Sequence, residues 1–87
     1  MSESGGQFRL QAISTPAPRF PKGAQGITGE VLVAFTVNAS GSVENVRAVR
    51  GNPPRVFEAS AIAAVQTWRF VAPGRSVRTT RTLRFVP

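Results

Sequence analysis

The clearest hydrophobic pattern in the chain is helical and covers the fifteen residues 56–70. Apolar side chains recur there at i, i+4, i+7, i+8 and i+11, the spacing that lines one face of an α-helix. The pattern predicts one amphipathic helix that begins after Asn52-Pro53-Pro54, where Asn52 can cap the first N–H groups. The helix cannot continue through Pro73-Gly74. The predicted buried face consists of Phe57, Ala61, Ala64, Val65 and Trp68.

Trp68 lies at the end of this face and is the only tryptophan in the sequence. A side chain of this size buries about 150–250 Å² when it is packed inside a protein. We therefore expect Trp68 to anchor the core rather than to contact a partner.

A second pattern, alternating with period two, predicts a β-hairpin ahead of the helix. Residues 29–37 form the central strand, residues 38–41 supply turn-forming side chains, and residues 42–49 form the second strand. Val43 and Val46 are three residues apart and cannot share a face of a regular strand, so burial of both requires a bulge near Glu44-Asn45.

Residues 76–86 are rich in β-branched side chains and predict a third strand after the helix. A right-handed crossover places this strand beside the first hairpin strand, parallel to the second, so that it forms an edge. The predicted fold class is α+β: a three-stranded antiparallel sheet, made of a hairpin, a crossing helix and a returning edge strand, packed against one main helix. Residues 22–26 are compatible with one further short N-terminal helix.

The first seventeen residues are predicted to be a flexible leader and an extended arm, and residues 18–87 the folded domain. Residues 1–6 are polar and glycine-rich, residues 7–13 suit a short extended segment, and residues 14–21 contain three prolines. The apolar runs are far shorter than the ~20 residues that cross a bilayer, so the sequence predicts neither a membrane anchor nor a signal peptide.

The composition argues against an enzyme. The sequence contains no Cys, His, Asp or Tyr, and its carboxylates are limited to four Glu. It therefore lacks a Ser-His pair, thiolate metal ligands and most general acid–base groups, and it implies no metal or cofactor.

The charge points to an acidic partner. Eleven Lys and Arg against four Glu give a net charge of +7, and ten of the eleven cations are arginine. Charge alone does not choose between nucleic acid, anionic lipid and acidic protein. Four arginines recur every three residues along the predicted edge strand, where they serve either as solvated charges that prevent aggregation or as guides for an acidic peptide that adds to the edge. These are Arg75, Arg78, Arg81 and Arg84.

Six short motifs follow one another in a specific order: an aromatic-proline pair, a strand, a glycine turn, a Phe-x-x-x-Ala helix, Trp-Arg-aromatic and a closing strand. They are Phe20-Pro21, residues 29–37, residues 41–46, residues 57–61, Trp68-Arg69-Phe70 and Leu83-Arg84-Phe85. In this order they resemble the TonB C-terminal domain family over residues 18–86.

The resemblance implies a periplasmic domain of an energy transducer. Such a protein is anchored in the inner membrane by an N-terminal helix, couples to ExbB and ExbD, and binds the TonB box of outer-membrane receptors so that proton-motive force drives uptake of substrates such as siderophores. This chain would then be an excised fragment, with the prolines near Pro16 at the end of the family's proline-rich spacer.

The resemblance also implies two partner-binding segments. Family members add the TonB box to their last strand, which here corresponds to Arg78, Thr79, Thr80, Arg81, Thr82, Leu83 and Arg84. A second receptor contact in the family precedes the aromatic-proline pair, and here it reads Ala17, Pro18, Arg19 and Phe20. Ala17 stands where the family has glutamine, which removes the side-chain hydrogen bond from that position.

Three other functions remain open from the residues. A TolA-like periplasmic interaction domain would share the edge-binding mode, and a homodimer would pair the edge with its own copy or with residues 7–13. A basic nucleic-acid-binding module is disfavoured, because single-strand binders need exposed stacking aromatics and only Phe8 and Phe20 lie outside the predicted core faces.

Overall fold

The computed structural model describes residues 10–87. The predicted leader, residues 1–6, and the first part of the extended segment, residues 7–9, lie outside the described residues. These described residues form one helix and five strands, two of the strands very short. They are β1 (Ala12–Ser14), β2 (Gly29–Val37), β3 (Val43–Asn52), α1 (Glu58–Gln66), β4 (Arg69–Phe70) and β5 (Val77–Phe85).

The main sheet confirms the predicted fold class. Its strand order is β3-β2-β5, and both pairings are antiparallel. β5 therefore runs parallel to β3 on the far side of β2, as the crossover rule predicts. The pairing of β2 with β5 is regular from Val37↔Val77 to Gly29↔Phe85.

The bulge predicted near Glu44-Asn45 is confirmed. Pairing passes from Thr36↔Glu44 to Ala34↔Arg47, so β3 contains one extra residue there, and Asn45 has a φ of 55°. Asparagine tolerates this left-handed conformation better than most residues. A second bulge, between the Leu32 and Val33 pairings, was not predicted.

The helix is shorter than predicted, and its expected extension to Phe70 is wrong. It ends at Gln66, where the Thr67 N–H donates to the Ala64 carbonyl (3.0 Å) and the Thr67 hydroxyl donates to the same oxygen (2.7 Å). Such local side-chain bonds compete with helix propagation. Arg69 and Phe70 instead form β4, which pairs with β1 in a small second sheet.

Two smaller predictions at element ends are also corrected. Asn52 ends β3 instead of capping α1, whose N-cap is Phe57 without a side-chain bond. Residues 22–26 form turns and not a turn of helix, since Gly23 and Gly26 both have positive φ, at 85° and 82°.

The core lies between α1 and one face of the sheet, which we call the inner face. The opposite outer face carries the other alternate residues of the three strands. The predicted burial of Phe57, Ala61, Val65 and Trp68 is confirmed, with Ala64 partly buried, although Trp68 lies beyond the end of the helix. The inner-face core residues are Val31, Val33, Phe35, Val37, Leu83 and Phe85, and the outer-face residues of β2 and β5 are Glu30, Leu32, Ala34, Thr36, Arg78, Thr80, Thr82 and Arg84.

Glu58 fixes the loop that leads into α1. Its Oε2 accepts a hydrogen bond from the Arg55 N–H (2.9 Å), and its side chain packs against Gly51, where an added Cβ would overlap the carboxylate. The Arg55 N–H is the main cause that lowers the pKa of Glu58, further backbone N–H groups add to it, and desolvation opposes them.

A lowered pKa makes Glu58 a source of pH-dependent stability. Its contribution is fully present above the pKa of the unfolded state and is lost as the pH falls through the lower folded-state pKa. We expect Glu58→Gln to destabilise the domain at neutral pH and to differ less from wild type near about pH 3. Urea denaturation of both proteins at the two pH values measures this difference, and a gap that widens on acidification would contradict the expectation.

Candidate partner-binding site

The free edge of β5 is the first part of the site. β5 is nine residues long and pairs with β2 along one side, and no strand among residues 10–87 covers its other side. Successive residues of a strand direct their N–H and C=O groups to opposite edges, so about half of these residues present unpaired backbone groups outward. The edge can therefore accept another extended chain.

The arginines of β5 are divided between the two faces, as their spacing predicts. Arg78 and Arg84 lie on the outer face with Thr80 and Thr82, and Arg81 lies on the inner face. All three arginines are exposed. An added strand would therefore meet positive charge on both of its faces.

Arg81 covers the indole of Trp68. Its guanidinium carbon lies 5.6 Å from the centroid of the ring, a distance at which cation–π attraction operates. Trp68 lies two residues after Gln66, the last residue of α1, and the contact with Arg81 places its ring against the inner face of β5.

The arm formed by residues 16–20 is the second part of the site. At one end the Pro16 carbonyl accepts a hydrogen bond from Nε1 of Trp68 (3.0 Å). At the other end the Phe20 ring packs edge-on against Phe57 and Phe85, with centroids 5.5 and 6.3 Å apart. The expectation that Phe20 is a free ring is therefore wrong, because it anchors the arm to the core.

Between these two anchors the arm borders a groove on the surface of α1. Ala17 and Arg19 are exposed and Pro18 is half-buried. The groove has a volume of about 420 Å³. Its walls are residues 16–19 of the arm and Ala59, Ser60, Ala63, Ala64 and Thr67 of α1 and its C-terminal turn.

Trp68 contacts both predicted segments, and this connection was not predicted from the sequence. The same indole contacts Pro16 of the arm and Arg81 of the edge strand. The sequence assigned Trp68 to the core, and its 5 % exposure confirms that. The sequence feature that pointed to such a contact was the indole N–H group, because a buried tryptophan N–H usually finds a hydrogen-bond acceptor.

The site has the chemistry of a binding surface. Within residues 10–87 no three His, Cys, Asp or Glu side chains come together as metal ligands. No helix of the described chain combines the length and apolar character required to cross a bilayer. What the site offers is unpaired backbone, arginine charge and a shallow apolar groove.

Residues 16–87 match the family model described as the Gram-negative bacterial TonB protein C-terminal. The chain belongs to the TonB C-terminal domain family. It is 37% identical to Protein TonB of Helicobacter pylori (strain J99) over 68 residues, which are 76% of this chain and 24% of that protein. It is 36% identical to Protein TonB of Escherichia coli K12 over 67 residues, which are 75% of this chain and 28% of that protein. The chain thus spans about a quarter of the length of these relatives.

Solved structures of TonB C-terminal domains show the same architecture. The solution structure of the Pseudomonas aeruginosa TonB C-terminal domain superposes with a TM-score of 0.75 at 26% identity, covering 90% of this chain and 86% of that one. The TonB2 protein of Vibrio anguillarum superposes with a TM-score of 0.58 at 23% identity, covering 95% and 90%, which supports the fold alone.

Proposed function

We propose that this TonB C-terminal domain binds the TonB box of outer-membrane receptors in the periplasm by adding it as a strand to the free edge of β5. The observation that carries the proposal is the edge of a nine-residue strand that residues 10–87 leave uncovered, on a domain of this family. Strand addition uses backbone hydrogen bonds for affinity and flanking side chains for specificity. The pairing segment runs from Arg78 to Arg84.

The arm provides a second contact beside the edge. Ala17, Pro18 and Arg19 are accessible between the anchors of Pro16 and Phe20. Its extended backbone is already held in place, so a receptor segment that meets it does not have to order it. In this proposal residues 18–87 are the receptor-binding domain, and residues 1–17 are the flexible leader and the first part of the extended arm.

In the full-length protein this binding to the receptor would transmit energy across the periplasm. An N-terminal membrane anchor would couple the domain to ExbB and ExbD in the inner membrane, and the bound receptor would use the energy for uptake. The domain itself acts by binding and not by catalysis. Family membership and the similarity to two proteins named TonB support this role.

The expected affinity is modest. About five added backbone hydrogen bonds, each contributing a net 0.5–1.5 kcal/mol, are offset by roughly 2–5 kcal/mol for ordering the peptide. We therefore expect a Kd of tens of micromolar or weaker.

An NMR titration of the ¹⁵N-labelled domain with a TonB-box peptide tests the proposal. We expect saturable shifts at residues 78–84 and at residues 16–20, and we expect them to persist when the salt concentration is raised. A short DNA oligomer, titrated at the same two salt concentrations, is the control, because phosphate binding weakens steeply with salt. A peptide that leaves these resonances unchanged, or DNA that shifts them more strongly, would overturn the proposal.

A further inference from the structure

The outer face of the sheet contains a shallow depression of about 610 Å³, away from the arm, whose lining also includes the paired residues Phe35 and Thr79. Its floor is Ala34, the smallest outer-face side chain of β2, and its polar walls come from all three strands. The side chains that matter are Thr36 of β2, Asn45 and Arg47 of β3, and Arg78 and Thr80 of β5.

The bulge in β3 creates this arrangement. The pairing of Val37 with Val43, continued without a bulge, would place Arg47 opposite Val33, on the inner face. The extra residue at Asn45 shifts Arg47 opposite Ala34, onto the outer face. Arg78 pairs with Thr36 on the other side of β2, and Thr36 faces Glu44 of β3. The two arginines therefore lie two strand spacings apart across the sheet and two residues apart along it, roughly 12 Å between Cα atoms.

The donor side chains that line the depression form few contacts within residues 10–87. Neither arginine side chain forms an ion pair or hydrogen bond with residues 10–87. Thr36 lines the same depression, and its hydroxyl forms no hydrogen bond within residues 10–87. Glu44 is the nearest carboxylate along β3, and its Oε1 lies 3.5 Å from Nδ2 of Asn38 in the hairpin turn.

We propose that this depression is an oxyanion site that binds a phosphate group. Two guanidinium groups, two hydroxyls and one amide surround it from three strands. A planar carboxylate would engage donors from one or two directions, whereas a phosphate presents three strong acceptor oxygens to donors on several sides. An acidic peptide would instead pair with backbone at an edge, and β2 has no free edge here because β3 and β5 flank it.

Inorganic phosphate is the probe for the site. In a titration of the ¹⁵N-labelled domain at constant ionic strength, we expect saturable shifts at Thr36, Asn45 and Thr80 in the millimolar range. Arg47→Gln should weaken binding about tenfold or more, as expected for a lost charge-assisted hydrogen bond. Arg50→Gln is the matched control on the same strand and should change the affinity little, and Glu44→Gln should strengthen binding because it removes a nearby negative charge.

The source of the phosphate is tested with vesicles of phosphatidylcholine, with and without phosphatidylglycerol. Cosedimentation that requires phosphatidylglycerol and is lost in Arg47→Gln assigns the site to lipid headgroups, whereas binding of inorganic phosphate without vesicle binding assigns it to soluble phosphate esters. Shifts that do not saturate, or that respond equally to Arg47→Gln and Arg50→Gln, would overturn the proposal. Because Arg47 lies on β3, Arg47→Gln should leave peptide binding at β5 intact, which separates this test from that of receptor binding.

Discussion

Replacing Trp68 by alanine is expected to unfold most of the domain. The indole is 5% exposed, packs against Phe35 and Phe70 with centroids 5.9 and 6.5 Å away, and holds Pro16 through its N–H. Truncating such a side chain typically costs about 3–5 kcal/mol, because it loses burial and leaves a cavity. A domain of this length has only about 4–13 kcal/mol of net stability in total. Thermal and urea denaturation, followed by circular dichroism, measure the loss.

Two variants separate the contributions of Trp68. Trp68→Phe keeps an aromatic ring and removes the N–H donor, so it should cost much less stability while it loosens the arm at Pro16. Val71→Ala truncates a neighbouring apolar side chain that is 45% exposed, and it should change the melting temperature little. A cooperative melt of Trp68→Ala close to that of wild type would show that the indole does not anchor the core.

The sheet was predictable because its signals are local and mutually consistent. Alternation of Val31, Val33, Phe35 and Val37 defines the inner face of β2. A right-handed crossover then places β5 beside the edge of β2 that β3 leaves free. Even the bulge at Asn45 followed from the three-residue spacing of Val43 and Val46, since two apolar residues at that spacing cannot share a face of a regular strand.

The end of the helix was not predictable from hydrophobic spacing. Trp68 and Phe70 are both buried, and the spacing of Trp68 in the sequence continues the helical pattern of Phe57, Ala61 and Val65. What ends the helix is the double hydrogen bonding of Thr67 to the Ala64 carbonyl, followed by pairing of β4 with β1. That pairing is tertiary, because β1 is more than fifty residues away along the chain, and tertiary contacts override local pattern.

The candidate site was predictable in its backbone but not in its side-chain contacts. Position in the topology was enough to make β5 an edge. Placing Phe20 on Phe57 and Phe85, and Pro16 on Trp68, required knowing how the arm returns across the domain. The outer-face depression depended on register, because a single extra residue in β3 decides which face Arg47 occupies.

Proline introduced in the middle of β5 is expected to abolish peptide binding. Thr80 and Arg81 are consecutive, so the N–H of one points to β2 and that of the other to the free edge. Proline at the outward position removes a donor and places its ring where the added strand must lie, yet an edge strand tolerates it on that side. We expect that variant to remain folded and to bind a TonB-box peptide at least about tenfold more weakly, since a lost hydrogen bond and a steric clash act together. Proline at the inward position should instead disrupt the pairing with β2.

Val86→Pro is the matched control, because it introduces the same residue immediately after the last paired position of β5, Phe85. It should leave both the fold and peptide binding unchanged. Circular dichroism establishes which of Thr80→Pro and Arg81→Pro folds, and the NMR titration then measures its affinity. If both proline variants fold and bind the peptide as wild type does, the receptor segment does not pair with β5. Peptide-induced shifts confined to the arm would then move the contact to Ala17, Pro18 and Arg19, and the free edge would serve only as a charged, aggregation-resistant border of the sheet.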